Sequence, residues 1–245
     1  MKTMPAKRWL KRWLTSYASL RRLYRFVYLP IRLGLYQRYL QRKLRRVGPR
    51  IIALVHRVCT QEGISYFADY GTLLGFVREK GFIPHDNDID FGILLPFNQP
   101  KGFVEALQGE GFHFVKAFTY DGQITELSFY YQGIQVDFFI HFPIGERLWA
   151  HYYVIGDDCG TDWQHPPVID VVRTFRPQIP ALIPYSVLGT TTLIPSNYEA
   201  VLTAHYGRGW HIPNPTWNRE AEGDYCVKQP MDVRLADYIT HVGEV

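Results

Sequence analysis

Apolar positions along the chain recur first at helical and then at mixed helical and strand spacing. Between residues 6 and 47, Trp9, Leu10, Trp13, Leu14, Tyr17 and Leu20 return at helical intervals among arginines, which predicts an amphipathic helical segment. Pro30 is expected to divide that segment, and Gly48-Pro49 to end it. Ile51, Leu54, Val55, Val58 and Cys59 then form one apolar helix face, closed by Gly63. A short strand is predicted at 64–69, a tight turn at Gly71, and a short helix over 73–77 capped by Thr72. A second strand follows at 88–95 and a helix at 103–110. Three more strands are expected at 112–119, 125–131 and 134–140, the last two joined by a Gln132-Gly133 hairpin turn. Beyond Gly145 the pattern is less regular, until a last helix at 197–205. This order predicts an α+β fold with a mixed sheet flanked by helices, divided into a helical segment 1–47 and a body 48–245.

Hydrophobic residues make up 47% of the 245 positions and aromatics 16%, enough for a sizeable core and too much for a disordered chain. Charge changes the picture more. Residues 1–50 hold fifteen Lys or Arg and no Asp or Glu, leaving 27 − 15 = 12 basic residues against all 23 acidic ones afterwards. A segment of +15 joined to a body of −11 points to an anionic partner at one end. Basic residues beside Trp, Tyr and Leu suit an anionic bilayer surface, with packing on the domain and a nucleic-acid arm as the alternatives. Every apolar run in this segment is interrupted by charge, so neither a signal peptide nor a membrane span is expected. Cys59, Cys159 and Cys226 are odd in number and far apart, which implies neither a disulfide framework nor a zinc site and fits a reducing compartment.

The candidate chemistry lies in Pro84-His85-Asp86-Asn87-Asp88-Ile89-Asp90-Phe91-Gly92. Residues i and i+2 of a strand share a face, so Asp88 and Asp90 project together. Ile89, Phe91, Ile93 and Leu94 mark the strand as mostly buried, where two like charges are costly unless a cation or proton neutralises them. Hard oxygen ligands at this spacing suit Mg²⁺ or Mn²⁺. Asp137 interrupts a second apolar strand, Gln135-Val136-Asp137-Phe138-Phe139, and is expected to share a partner or the same metal. Three such carboxylates are what metal-assisted phosphoryl transfer needs. An Asp-x-Asp alone more often marks a turn or solvated edge, and a structural Ca²⁺ site is the alternative; the Ile and Phe in this run argue against a Ca²⁺ loop, and the strand context favours catalysis.

Sixteen residues earlier, Asp69-Tyr70-Gly71-Thr72-Leu73-Leu74-Gly75 places a strand end, a glycine and a helix start in order, a local design that offers free N–H groups to phosphate. Arg78 could clamp a phosphate or be an ordinary surface arginine. His85 and Asp86 could form a supporting acid/base pair beside the metal strand or a plain polar turn.

The run from Tyr66 to Arg78, then Gly81-Phe82-Ile83-Pro84, then Asp86-Asn87-Asp88-Ile89-Asp90 resembles the signature of the LicD/fukutin-related family. Val136-Asp137-Phe138 is similar to its third acidic strand, and Leu193-Ile194-Pro195 with Tyr198, Leu202 and Tyr206-Gly207 to its C-terminal pattern. His85 stands where that family often has Trp, and Asn87 where it often has Asp. The resemblance covers roughly residues 64–217 and says nothing of the basic segment. It implies a nucleotidyltransferase-like fold and transfer of a phospho-alcohol, of the phosphocholine or phosphoribitol/phosphoglycerol type, from a CDP-activated donor to a glycan hydroxyl. On this likeness Asp88, Asp90 and Asp137 become catalytic metal ligands for Mg²⁺ or Mn²⁺. Gly71, Thr72 and Arg78 become nucleotide-phosphate contacts.

The expectation is therefore a phosphotransferase acting on cell-surface polysaccharide or its lipid-linked precursor. Its expected partners are a CDP-linked donor, a glycan acceptor and, through residues 1–47, an anionic membrane at its cytoplasmic face, with nucleic acid disfavoured. A nucleotidyltransferase moving an NMP group to a sugar phosphate, protein or nucleic acid, and a catalytically silent membrane adaptor, are the competing expectations.

Overall fold

A computed structural model describes residues 28–120, 122–155, 169–214 and 226–229; the predicted turns of helix at 6–27 lie outside them. The first element is α1, Leu29–Gln61, with Pro30 in its first turn. The break expected at Gly48-Pro49 does not occur, because α1 continues through Pro49. An interior proline costs a helix about 3 kcal/mol. Leu44, Val47, Ile51, Ile52 and Val55 are all buried on either side of it, and each such side chain contributes about 1.5–3 kcal/mol. Gly48 is also where the Phe82 ring lies against the helix, leaving no room for a Cβ. Tertiary burial thus overrides the local breaker.

After β1, Tyr66–Ala68, comes α2, Tyr70–Glu79, then β2, Asp88–Leu94, and α3, Pro100–Gly109. Next are β3, His113–Tyr120, β4, Gln123–Tyr131, β5, Ile134–Ile144, β6, Arg147–Ile155, and β7, Ile169–Pro177. The β8–β9 hairpin, Leu182–Val187 and Thr190–Pro195, leads to α4, Tyr198–Tyr206, and β10, Cys226–Gln229, closes the series. The irregular stretch expected beyond Gly145 is therefore largely strand. Among the described residues, Pro177 and Pro195 end strands, Pro180 lies in a loop, and Pro184 lies within β8, which pairs with β9, so they interrupt no central ladder.

An eight-stranded mixed sheet runs β1-β2-β5-β6-β7-β10, with β4 on the first part of β5 and β3 beyond β4. The β2–β5 pair is parallel and the others antiparallel. Gln132 and Gly133 both have positive φ, +49° and +76°, as the predicted two-residue turn between β4 and β5 requires. Ile89 and Phe91 of β2 share a face with Val136 and Phe138 of β5 and with Leu127 and Phe129 of β4. All are buried, and Phe103 of α3 meets Phe138 edge-on with centroids 5.0 Å apart. This face, covered by α1 and α3, is the core. Alternation therefore turns Asp88, Asp90 and Asp137 to the opposite face. Among the described residues no helix is long and apolar enough to cross a membrane. Of the cysteines, Cys59 is a buried free thiol whose ionisation burial pushes upward.

Candidate active site

The site begins at the join of β1 to α2. Asp69, not Thr72, caps α2: its carboxylate accepts the Tyr70 N–H at 2.8 Å, and the helix begins at Tyr70 rather than at residue 73. Tyr70 takes a left-handed φ of +41°, a conformation bulky residues hold only when their surroundings enforce it. Its ring is pinned between Phe139 and His205, each 4.8 Å away, with the Arg176 guanidinium over it. Thr72, freed from capping, is buried and accepts the Asp90 N–H at 2.8 Å, tying α2 to the middle of the acidic strand. Gly75 lets that helix approach the following turn: a Cβ there would lie 2.6 Å from the Gly81 carbonyl oxygen. The spacing of glycines 75 and 81 thus has a steric cause.

On β2, Asp88 and Asp90 share a face, and the parallel register sets Asp90 directly opposite Asp137 of β5. The same rung continues outward, Asp137 to Ser128 of β4 and Ser128 to Lys116 of β3. Burial is the leading cause of the electrostatics here. It raises Asp90 well above the usual carboxylate range, with the charges of Asp88 and Asp137 adding to the effect. Burial also raises Asp88 and pushes Asp137 up to about 6, against the pull of hydrogen bonds from Ser128 and Gln135 and of the Lys116 charge. Gln135 Nε2 donates to Asp137 Oδ2 at 2.8 Å, while Oδ1 is buried and has no hydrogen-bond partner among the described residues.

Glu126, one residue pair along β4, was not anticipated. It is buried, accepts from the Ser128 hydroxyl at 3.1 Å, and is pushed up to about 8 by burial and by Asp137, opposed by Lys116 4.0 Å away. The signal was present in the strand 125–131, where Glu126 and Ser128 alternate with apolar residues on the face opposite Leu127 and Phe129.

The other expected residues distribute unevenly. Asp86 comes beside the start of α2, its Oδ2 3.2 Å from where a Gly71 Cβ would be. Burial and Asp88 push its carboxyl up to about 7, with Arg78 opposing. Arg78 also donates to Glu79 Oε1 at 2.7 Å and to the Trp210 carbonyl at 3.1 Å. His85 points outward, its side chain 82% exposed and 4.0 Å from Asp86. Beneath the acids lies a second network the sequence did not announce. Asp69 pairs with the buried Arg176 of β7 and with His141 of β5, whose Nε2 is 2.8 Å away. Asp69 is held below the usual range: burial opposes this, and Arg176 and His141 outweigh it. Burial and Arg176 hold His141 down at about 4, so it is a neutral donor there.

The donor set fits a hard divalent cation in residue type. Asp88, Asp90 and Asp137 share a face, burial suppresses the ionisation of each with neighbouring carboxylates adding to it at Asp90 and Asp137, and Asp137 Oδ1 lacks a partner among the described residues. Among the described residues no three carboxylate, imidazole or thiol groups already converge as ligands.

Parts of the chain are similar to known proteins. One solved structure that resembles it, the crystal structure of ANT(2")-Ia in complex with adenylyl-2"-tobramycin, covers 69% of this chain and 80% of its own at 11% identity and a TM-score of 0.39. The lipopolysaccharide cholinephosphotransferase LicD of Haemophilus influenzae is 50% identical over 40 residues, which are 16% of this chain and 15% of that protein. A family model described as LicD/FKTN/FKRP, nucleotidyltransferase domain, matches residues 63–157, a span that opens just before β1 and takes in α2, the acidic strand and Asp137. Residues 63–157 therefore carry the likeness to the LicD/FKTN/FKRP nucleotidyltransferase domain, and the chain matches the curated relative over only 15% of that protein's length.

Proposed function

We propose that the protein is a metal-dependent phosphotransferase that moves a phospho-alcohol from a CDP-activated donor to a hydroxyl of a cell-surface glycan or its lipid-linked precursor, at the inner face of a membrane. The observation that carries this reading is the pairing of Asp90 with Asp137 across β2 and β5, with Asp88 on the same face and the start of α2 alongside. The family match and the named activity of the Haemophilus relative support it.

Asp88, Asp90 and Asp137 would hold Mg²⁺ or Mn²⁺, and such an ion when bound neutralises the carboxylates and offsets negative charge on the transferring phosphoryl group. The chain's own residues do the rest. Gly71, in the first turn of α2, presents backbone N–H to the donor phosphates, with the positive end of the helix behind it. Thr72 fixes Asp90 through its backbone and so sets where the phosphates rest. Arg78 adds positive charge at the Asp86 side of the site. The acceptor oxygen forms a bond to the alcohol-bearing phosphorus, the bond from that phosphorus to the CMP oxygen breaks, and CMP leaves. The hydroxyl proton passes to Asp137, whose unpartnered Oδ1 is available to take it.

Thermal shift with Mg²⁺ and a panel of CDP-choline, CDP-ribitol, CDP-glycerol, CTP, UTP and ATP tests this on wild type and Asp90→Asn. A ligand at a hundred times its dissociation constant adds about 2.7 kcal/mol of stability. Stabilisation by one CDP-alcohol, lost in Asp90→Asn, supports the phosphotransferase and names its donor. The family model's own description favours a second reading, transfer of an NMP group. A response to triphosphates alone, with pyrophosphate rather than CMP released, would replace the first reading with that one. Silence across the whole panel would favour the adaptor.

A further inference from the structure

Of the eleven large apolar side chains exposed among the described residues, five lie between residues 28 and 39, at the N-terminal end of α1. Tyr28, Ile31, Leu35 and Tyr39 are each more than half exposed, and their separations of three, four and four residues put them on one stripe. Leu35 and Leu44 are nine residues apart, two and a half turns at about 100° per residue, so the stripe faces away from the side that Leu44, Val47 and Ile51 bury. Arg32, Arg38, Arg42, Arg45 and Arg46 are exposed around it, and α1 contains no acidic residue.

The charge decides what can cover this stripe. A second copy would bring arginines against arginines with no carboxylate to pair them. Residues 1–27 are equally without acids and cannot neutralise them either. A nucleic acid would satisfy the arginines and leave the apolar stripe wet. An anionic bilayer surface satisfies both, taking Tyr and Leu at headgroup depth and arginines against lipid phosphates.

We infer that this part of α1 is a docking surface for an anionic bilayer. The sequence alone left membrane binding and packing on the domain as rivals; the structure divides them along one helix, packing from Leu40 onward and docking before it. The opposite side of the same stretch holds the entry to the acidic strand. Gln37 Oε1 accepts from Asn87 Nδ2 at 3.2 Å, and Gln41 Nε2 donates to the His85 carbonyl at 3.4 Å. The continuous helix therefore keeps the 85–87 loop roughly one helix diameter, about 10 Å, from the lipid surface. This surface is independent of which reaction the acidic face performs.

The test is flotation of the full chain with vesicles of phosphatidylglycerol in phosphatidylcholine, compared with phosphatidylcholine alone, with no donor present. Wild type should bind the anionic vesicles only, and less as salt rises. Leu35→Glu/Tyr39→Glu should weaken that binding by about tenfold or more, and Arg38→Gln/Arg42→Gln should weaken it too. Melting should be unchanged in both, because these side chains are exposed and Tyr39 stacks on Tyr36 and Lys43 of its own helix rather than on the core. Undiminished binding by the first variant, or equal binding to neutral vesicles, would overturn the inference. So would a first variant that only shifts a monomer–dimer equilibrium in sedimentation, which would assign the stripe to a second copy.

Discussion

Asp90 and Asp137 stand opposite one another on adjacent parallel strands, a half-buried and a buried carboxylate in one rung of a sheet. Asp90 keeps its proton well above the ordinary range because ionising it there means desolvation and repulsion together. That rung accounts for most of what the site is expected to do.

Replacing Asp90 by Asn removes one repulsive charge and one ligand. In chelator near pH 8 the variant is expected to melt at a higher temperature than wild type, whereas in Mg²⁺ it should lose transfer by roughly a hundred- to a thousandfold. Melting curves with and without metal, beside product release, check both. A variant that melts lower in chelator would contradict the repulsion.

Without metal, stability should fall as pH rises from about 4 to 8, because two raised carboxyls outweigh one lowered imidazole. Glu126 has its folded value raised to about 8 and Asp137 to about 6. The stability linked to them is full below the ordinary carboxylate range of about 4 and is lost as pH rises through 6 and 8. His141 runs the other way, lowered to about 4. Its contribution is full above about 6.5 and is lost as pH falls through 4. Chemical denaturation from pH 4 to 9 in chelator should show that net fall, with Glu126→Gln flattening it most between about pH 6.5 and 8.

Thr72→Val keeps shape but leaves the Asp90 N–H without its acceptor. A loss of about 1–3 kcal/mol is expected, together with weaker metal binding because the strand is no longer pinned at that carboxylate. Isothermal titration with Mn²⁺ measures the second effect, and unchanged metal affinity would confine Thr72 to a packing role.

Lys116 ends the rung that contains Asp90, Asp137 and Ser128, and its ammonium lies 4.0 Å from Glu126. If it also meets donor phosphate, Lys116→Met should weaken CDP-choline binding in Mg²⁺ by about tenfold, ~1.4 kcal/mol, with recovery in Lys116→Arg. Full affinity in the methionine variant would restrict Lys116 to balancing Glu126.

The sequence by itself determined the local features. Alternation along 88–94 put Asp88 and Asp90 on one face, the Gln132-Gly133 pair made a turn, and helical spacing located α3 and α4 to within a few residues. These depend on neighbours a few positions apart, and period alone carries them. Which strand Asp137 joined, and in what register, depended on a parallel pairing across more than forty residues that no local period encodes. The same holds for Glu126 and Lys116, whose chemistry comes from the strand they lie beside. Asp69 was read as the end of a strand, and only Arg176, more than a hundred residues away, makes it a buried ion-pair centre. Gly48-Pro49 is the reverse case, a local stop signal overruled because the side chains on both sides of it are buried together. Tertiary structure decided these points because burial and cross-strand register act between residues distant in sequence, at energies that exceed the local preference.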